Sequence, residues 1–228
     1  MMTLDILSVG AHPDDVEIGC GGILAHFKKM GKSTGILDLT NGMPTPYGTV
    51  EQRLAEAKKA AEILKVDVRI TLDMENRYLE NSIENRIKIA DIFRQYRPKV
   101  IITNPAEDFH PDHVACHLLV NAAIFQAKLT NTDSKFPEYY PPRVLYYDQS
   151  HMKKQRKLDF LIDISDSLED KIRALEAYQS QFIENKNNNV IFKYIRDKAS
   201  YLGNQIGVEY AEGLICPSYF RINDITMI

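Results

Sequence analysis

The stretch LDILSVGAHPDDVEIGCGG (residues 4–22) joins an apolar run to a turn that is rich in charged residues and glycine. The run LDILSVG (residues 4–10) predicts a buried β-strand that ends at a glycine. The following segment, residues 17–30, predicts a helix that Gly31 ends as a C-terminal cap. A strand that leads directly into a helix is the first part of a βαβ unit, so this stretch predicts an α/β fold.

The alternation continues along the chain. Further strand patterns lie at residues 33–40, 67–72, 99–105, 143–148 and 158–164, and helical patterns separate the first four from one another. A helix between two strands implies a right-handed crossover and a parallel sheet. Ser165 or Ser167 then opens a helix to about residue 183, a second late helix covers 190–205, and a short strand follows. The prediction is one Rossmann-like, doubly wound α/β domain over residues 1–228, with a mostly parallel sheet and a C-terminal helical elaboration.

Composition limits the class of partner. The chain has 228 residues, of which 44% are hydrophobic and 26% charged, as is typical of a globular protein. Its net charge of −3 provides no electrostatic attraction for nucleic acid or anionic membranes. The N-terminus lacks the basic start of a signal peptide, and no run reaches the roughly 20 apolar residues that span a bilayer. The three cysteines form no CxxC pair, so we expect a cytoplasmic protein. The basic run HMKKQRK (residues 151–157) is typical of a solvated loop.

Two loops rich in histidine and aspartate follow predicted strands. AHPDD (residues 11–15) comes directly after the first strand, and PAEDFHPDH (residues 105–113) comes after the fourth. Ligands of an open parallel sheet bind at the carboxyl ends of its strands, and the first and fourth strands are neighbours in the common strand order. We therefore expect both loops to face one crevice.

A phosphate-binding turn is the first hypothesis for the glycine-rich stretch, and the charges oppose it. A dinucleotide fingerprint places G-x-G-x-x-G between strand and helix. Here His12, Pro13, Asp14 and Asp15 fill that turn, and two carboxylates would repel a pyrophosphate. The glycines of GCGG (residues 19–22) are better explained by close packing of the helix on the sheet.

A metal site is the stronger hypothesis, because imidazole and carboxylate groups are the common ligands of a catalytic zinc. The donor set also suits iron or manganese. The candidate ligands in the two loops are His12, Asp14, Asp15, Asp108, His110, Asp112 and His113. Helix capping by Asp15 and Asp112 is the structural alternative. His113 and His117 are four residues apart, but the glutamate of an H-E-x-x-H motif is absent between them.

The two motifs AHPDDVEIGCGG (residues 11–22) and HPDH (residues 110–113) together resemble the LmbE/PIG-L-like family of zinc-dependent N-acetylglucosamine (GlcNAc) deacetylases. The resemblance covers nearly the whole chain and includes EQRLAEAKKAAEILKV (residues 51–66) and GVEYAEGL (residues 207–214). It implies a metal-dependent amidohydrolase with one zinc ion per chain, held by His12, Asp15 and His113.

The resemblance also implies roles for five further residues. Asp14 matches the general base, and His110 in its protonated form matches the group that stabilises the oxyanion, with Asp112 beside it as its orienting partner. Arg53 matches an arginine that contacts the sugar-bearing substrate. Tyr194 is expected to lie over the site, although no strict motif fixes it.

The substrate expected from the resemblance is a small amino-sugar conjugate. The chain looks most similar to the bacillithiol branch, which acts on N-acetylglucosaminyl malate, with diacetylchitobiose and free GlcNAc as alternatives. Relatives suggest a homo-oligomer, such as a hexamer. A two-metal phosphoesterase and a non-catalytic sugar- or nucleotide-binding module are the rival hypotheses.

Overall fold

A computed structural model describes residues 2–45, 47–149 and 156–219. The seven strands are β1 (Ile6–Gly10), β2 (Thr34–Thr40), β3 (Val68–Met74), β4 (Val100–Thr103), β5 (Val144–Tyr147), β6 (Phe160–Asp163) and β7 (Ala211–Ile215). The six α-helices are α1 (Asp15–Lys29), α2 (Val50–Leu64), α3 (Ile83–Tyr96), α4 (Pro111–Ala127), α5 (Leu168–Glu176) and α6 (Val190–Ile206).

The strands form one sheet in the order β3-β2-β1-β4-β5-β7-β6. Strands β1 to β5 pair in parallel, whereas β7 is antiparallel to both of its neighbours. Every residue of β1 and β2 is buried, because helices cover both faces. One core cluster lies against α1, α2, α5 and α6, and the other lies against α3 and α4. The predicted doubly wound α/β fold is confirmed.

The chain reverses its winding direction beside β1. This strand pairs with β2 on one side and with β4 on the other, so the crossovers leave β1 toward opposite edges of the sheet. The loops after β1 and β4 are consequently adjacent at the carboxyl edge, where ligands bind in this architecture. The expected neighbourhood of the two loops is confirmed.

Helix α1 lies unusually close to the sheet. A Cβ atom placed on Gly19 would come within 2.5 Å of the Tyr147 ring, and one on Gly22 within 2.7 Å of Ile164. Both glycines therefore permit a close approach that a larger residue would prevent, as the sequence predicted.

A break at Cys20, whose backbone is non-helical (φ −149°, ψ 24°), interrupts α1. Three buried side chains from the second half of the chain bind the backbone groups around it. Lys171 Nζ donates to the Ile18 carbonyl at 2.7 Å, Glu212 accepts from the Ile23 amide at 2.7 Å, and Ser167 Oγ donates to the Gly22 carbonyl at 2.9 Å. Glu212 belongs to GVEYAEGL, so this motif helps to hold the broken helix that follows the first loop.

The predicted helix from Ser165 or Ser167 to about residue 183 is wrong in its length. Ser167 is the N-cap residue of α5, but α5 ends at Glu176 and a separate π-helical turn covers Gln179–Ile183. Tertiary contacts account for the interruption, because the Tyr178 hydroxyl donates to Glu17 at 2.8 Å and the Ser180 amide donates to Glu56 at 2.8 Å.

Most of the basic run at residues 151–157 lies outside the described residues. Arg156 is described, and its guanidinium donates to the backbone carbonyls of Gln149 and Glu107. In the described part of the chain, none of the helices combines the length and the apolar character that crossing a bilayer requires.

Candidate metal centre and active site

Three predicted ligands meet where α1 and α4 begin. His113 Nε2 lies 3.1 Å from Asp15 Oδ1, and His12 Nδ1 lies 3.4 Å from Asp15 Oδ2. One candidate ligand atom from each of the three residues lies within 4.8 Å of the other two, and all three residues are buried. His12 and Asp15 come from the loop after β1, and His113 comes from the first turn of α4, so the sheet topology brings the three together.

The second nitrogen of each histidine faces another carboxylate. His113 Nδ1 lies 2.9 Å from Asp108 Oδ2, and His12 Nε2 lies 3.0 Å from Asp112 Oδ2. Carboxylates that bind the outer nitrogen of a metal-ligating histidine are common in zinc sites, because they fix the ring and its tautomer. Two imidazoles and one carboxylate also match a frequent donor set of catalytic zinc. The residues present therefore fit a divalent metal ion.

The electrostatics of the cluster favour positive charge. Burial disfavours the imidazolium of His12, but hydrogen bonds to Asp112 and Asp15 outweigh it and raise the pKa of His12 to about 9. Burial likewise opposes the charge on His113, yet Asp15 and Asp108 raise its pKa to about 10. The Asp15 carboxyl is also buried, but His113 and His12 hold its pKa well below the usual range. A bound cation would supply the positive charge that these carboxylates attract.

A second group of donors overlaps the first. His12, His110 and Asp112 also bring candidate ligand atoms within 4.8 Å of one another. In this group, however, Asp112 already accepts hydrogen bonds from the backbone amides of Arg77 at 2.7 Å and Leu79 at 3.3 Å. The His12 nitrogen that faces Asp112 in this group is Nε2, which lies 3.0 Å from Asp112 Oδ2. The set of His12, Asp15 and His113 therefore fits a metal better.

Asp14 occupies a strained backbone conformation. Its φ of 112° lies in the left-handed region, which costs a non-glycine residue free energy and often marks a functional position. This conformation separates Asp14 from Asp15, so that the Asp14 carboxylate accepts from Arg53 Nη2 at 2.9 Å. Burial raises the pKa of Asp14, while the positive charge of Arg53 acts in the opposite direction. Asp14 thus provides a carboxylate beside the candidate ligands and distinct from them.

His110 begins α4 as its N-cap residue. Its Nδ1 accepts from the Asp112 amide at 3.2 Å, which places the proton of a neutral ring on Nε2. Burial lowers the pKa of His110 to about 4, and the charges of His12 and His113 add to the effect. The expected protonated form of His110 is therefore disfavoured at neutral pH, but the neutral ring can still donate a hydrogen bond from Nε2.

Asp112 connects to His110 differently from the expectation. The contact with His110 is made by the Asp112 backbone amide, whereas the Asp112 carboxylate binds His12 and the amides of Arg77 and Leu79. The carboxylate therefore orients a candidate metal ligand. The alternative that Asp15 and Asp112 are N-caps is wrong, since Asp14 and His110 hold those positions.

A cleft of about 670 Å³ opens above these residues. Arg53 lines it, and its Nε and Nη1 atoms are buried with no hydrogen-bond partner in the described structure. Tyr194, which is about half exposed, also lines the cleft. The amide side chains that line the cleft are Asn76, Gln149, Gln181, Asn185, Asn187 and Asn188.

Two residues of the site have roles that the sequence did not predict. Asp108 was one of the candidate ligands in the second loop, and the structure instead places its carboxylate 2.9 Å from the outer nitrogen of His113. Gln149 follows β5 at the same edge of the sheet, and its Nε2 lies 3.4 Å from Asp15 Oδ1. The rule that ligands bind at strand carboxyl ends could have identified Gln149.

Fold and site together define a class of protein. Two imidazoles and a carboxylate converge at the carboxyl edge of a parallel sheet, beside a separate carboxylate and an open cleft, as is typical of metal-dependent hydrolases. Residues 7–124 match the model of the PIG-L family, which is described as GlcNAc-PI de-N-acetylase. The chain belongs to this family and is an enzyme of its metal-dependent deacetylase class.

Individual relatives agree with this assignment. The chain is 32% identical to the diacetylchitobiose deacetylase of Thermococcus kodakarensis, over 92% of this chain and 81% of that protein. It is 26% identical to a probable N-acetyl-α-D-glucosaminyl L-malate deacetylase 2 of Bacillus subtilis, over 77% of this chain and 82% of that protein. Among solved structures, a conserved protein of Thermus thermophilus superposes with a TM-score of 0.87 at 36% identity, over 96% of this chain and 98% of that one.

Proposed function

We propose that this chain is a zinc-dependent deacetylase that hydrolyses the N-acetyl group of a GlcNAc conjugate and releases acetate and a free amine. The observation that carries the proposal is the convergence of His12 Nδ1, His113 Nε2 and the Asp15 carboxylate beside the separate carboxylate of Asp14. The first three residues would hold one zinc ion. When bound, zinc supplies Lewis acidity that lowers the pKa of water and polarises a carbonyl group.

Asp14 is the proposed general base. Its carboxylate is held by Arg53 rather than by the candidate ligands, so it is free to take a proton from the attacking water. General base catalysis of this kind contributes about 10²–10⁴-fold in rate. The same carboxyl group then returns the proton to the leaving amine, as the C–N bond breaks and the acetyl group departs as acetate.

His110 is the proposed donor to the developing oxyanion. Its Nδ1 is occupied by the Asp112 amide, so the Nε2–H of the neutral ring can stabilise negative charge on the carbonyl oxygen. A preorganised donor of this type is worth about 3–4 kcal/mol in the transition state. Asp112 supports the site by fixing His12, and Arg53 and Tyr194 contact the sugar from the cleft wall.

We propose that the conjugate is a neutral, hydroxyl-rich sugar such as diacetylchitobiose. Six amide side chains line the cleft, and amides can both donate to and accept from hydroxyl groups. Among the described cleft residues the guanidinium groups are those of Arg53 and Arg77, and Arg53 is already paired with Asp14. N-Acetylglucosaminyl malate is the second candidate. The similarity to the Bacillus subtilis protein favours it, and the exposed Arg77 in the cleft could bind the malate carboxylates.

One ion per chain is expected. A two-metal phosphoesterase needs a pair of ions about 3.5–4 Å apart with ligands for both. Among the residues that the structure describes, the two possible donor groups share the single ring of His12, and Asp112 in the second group already accepts two backbone amides. Two tightly bound ions per chain, measured by elemental analysis of dialysed protein, would contradict this proposal.

The proposal is tested by measuring amine release from diacetylchitobiose, N-acetylglucosaminyl malate and free GlcNAc. The enzyme is assayed as purified, after chelation, and after zinc is restored. We expect chelation to abolish turnover and zinc to restore it, with the highest kcat/KM on diacetylchitobiose. Full turnover by metal-free protein would refute the mechanism, and a preference for the malate conjugate would refute the neutral substrate.

We further propose a homo-oligomer and a cytoplasmic location. A homo-oligomer such as a hexamer is inferred from the resemblance alone, and analytical ultracentrifugation would test it. The cytoplasmic location is proposed from the sequence-based expectation, and cell fractionation would test it.

A further inference from the structure

A side pocket of about 170 Å³ adjoins the cleft, between α1, α6 and the first residues of β7. Apolar side chains from α1 and α6 form much of its wall, namely Ile18, Ile191, Ile195, Ala199 and Leu202. None of the roles proposed above uses this pocket.

The charged groups of the pocket are paired with each other. Lys171 and Glu212 form a buried ion pair, and each also binds the backbone of α1. Lys198 Nζ lies 2.8 Å from Asp148 Oδ2. Because these charges are already compensated, the wall favours an apolar occupant over an ionic one.

The pocket adjoins the cleft above the candidate metal centre. Ile18, Gln149, Ile191 and Tyr194 line both the pocket and the cleft. Gln149 Nε2 lies 3.4 Å from Asp15 Oδ1, so the shared wall reaches a candidate metal ligand. The Gln149 Oε1 atom is buried and has no hydrogen-bond partner in the described structure, and it can accept the N–H of an amide that lies at this boundary.

The position of the shared wall indicates which part of the substrate would lie against it. In the proposed reaction the carbonyl carbon of the amide must lie beside the metal ligands, so its acyl substituent is the apolar group nearest to the shared wall. The sugar hydroxyls match the amide-lined cleft instead. This argument rests on the proposed function.

We propose that the side pocket is an acyl-chain subsite, and that the enzyme hydrolyses N-acyl glucosamine conjugates with chains longer than acetyl. An engineered apolar cavity of about 150 Å³ holds benzene, so a pocket of this size accommodates a chain of about four to six carbons. The chemistry is the same hydrolysis: a water oxygen bonds to the acyl carbon, the C–N bond breaks, and a carboxylate and an amine are released.

The kinetic test compares N-acetyl, N-butanoyl and N-hexanoyl derivatives of one glucosamine conjugate. Each buried methylene group strengthens binding about fourfold, so the two extra methylenes of butanoyl should lower KM about 16-fold. If kcat/KM falls more than tenfold on going from acetyl to butanoyl, the subsite does not exist, although the deacetylase proposal would still stand.

A variant that fills the pocket is compared with a matched control variant. Ala199→Leu adds bulk inside the pocket, whereas Asn204→Leu adds the same side chain at an exposed position of the same helix. We expect Ala199→Leu to reverse the preference for butanoyl over acetyl, and Asn204→Leu to keep the wild-type ratio. An unchanged ratio in folded Ala199→Leu would contradict the assignment.

A binding measurement separates this inference from the proposed catalysis. Isothermal titration of chelated wild-type protein with N-butanoyl-glucosamine and N-acetylglucosamine requires neither metal nor turnover. We expect the butanoyl compound to bind about 16-fold more tightly, because two more methylenes are buried. Equal affinities, or no detectable binding of either compound, would overturn the acyl subsite even if Ala199→Leu failed to fold.

Discussion

The two loops of the site contain the same tripeptide, His-Pro-Asp, and use it in opposite ways. In the first loop the aspartate, Asp14, is the N-cap residue of α1 and has a φ of 112°. In the second loop the histidine, His110, is the N-cap residue of α4, and its aspartate, Asp112, already lies in the helix and is 1% exposed. The helix therefore starts two residues earlier relative to the tripeptide in the second loop.

This shift decides what each side chain can do. Asp14 precedes its helix, so its carboxylate reaches the cleft and Arg53. Asp112 lies in the first helical turn, so its carboxylate is buried among the amides of Arg77 and Leu79 and the ring of His12. A shared tripeptide does not define a role, because the start of the helix determines where each side chain points.

The largest expected contrast is between Asp14→Asn and Asp112→Asn. Asparagine tolerates a positive φ, so Asp14→Asn should stay folded and bind metal, but lose about 10²–10⁴-fold in kcat with the general base. Asp112→Asn should mainly lower the stability and the metal affinity, because it weakens buried hydrogen bonds. Steady-state kinetics, thermal unfolding and metal content measure both variants. Equal losses of kcat at normal metal content would show that the two aspartates share one role.

A smaller effect is expected outside the ligands, at Asp108. The Asp108 carboxylate lies 2.9 Å from His113 Nδ1, and removing such an outer partner typically weakens metal binding about 10–100-fold. Asp108→Asn should show this loss in competition with a chelating dye. The neighbouring exposed change Glu107→Gln is the control and should bind metal as the wild type does. Unchanged affinity in Asp108→Asn would remove His113 from the ligand set.

The smallest effect concerns backbone strain. Glycine relieves the positive φ of Asp14, so Asp14→Gly should be more stable than Asp14→Ala by about 1–2 kcal/mol. In the helical first turn of α4 the order should reverse, with Asp112→Gly less stable than Asp112→Ala by up to about 1 kcal/mol. Urea unfolding of the metal-free variants measures the four values. The same order at both positions would show that the two aspartates do not differ in backbone strain.

Much of the fold could be predicted from local patterns. The apolar runs of β1 and β4 and the helical spacing between them were sufficient for a parallel, doubly wound sheet, because hydrophobic period and crossover handedness leave few topologies. The length of α5 could not be predicted in this way. Its end depends on Tyr178 and Ser180 binding Glu17 and Glu56, which are contacts between segments far apart in sequence.

The same distinction between local pattern and tertiary contact applies to the site. The sequence by itself determined which side chains are available to bind a metal, since two histidine- and aspartate-rich loops follow two strands that must be neighbours. Only the tertiary structure decided which nitrogen of each histidine faces Asp15, that Asp112 holds His12, that burial lowers the pKa of His110, and that Gln149 joins the site. These features depend on helix starts, burial and the meeting of three strand ends, and such quantities exist only after distant segments have packed together.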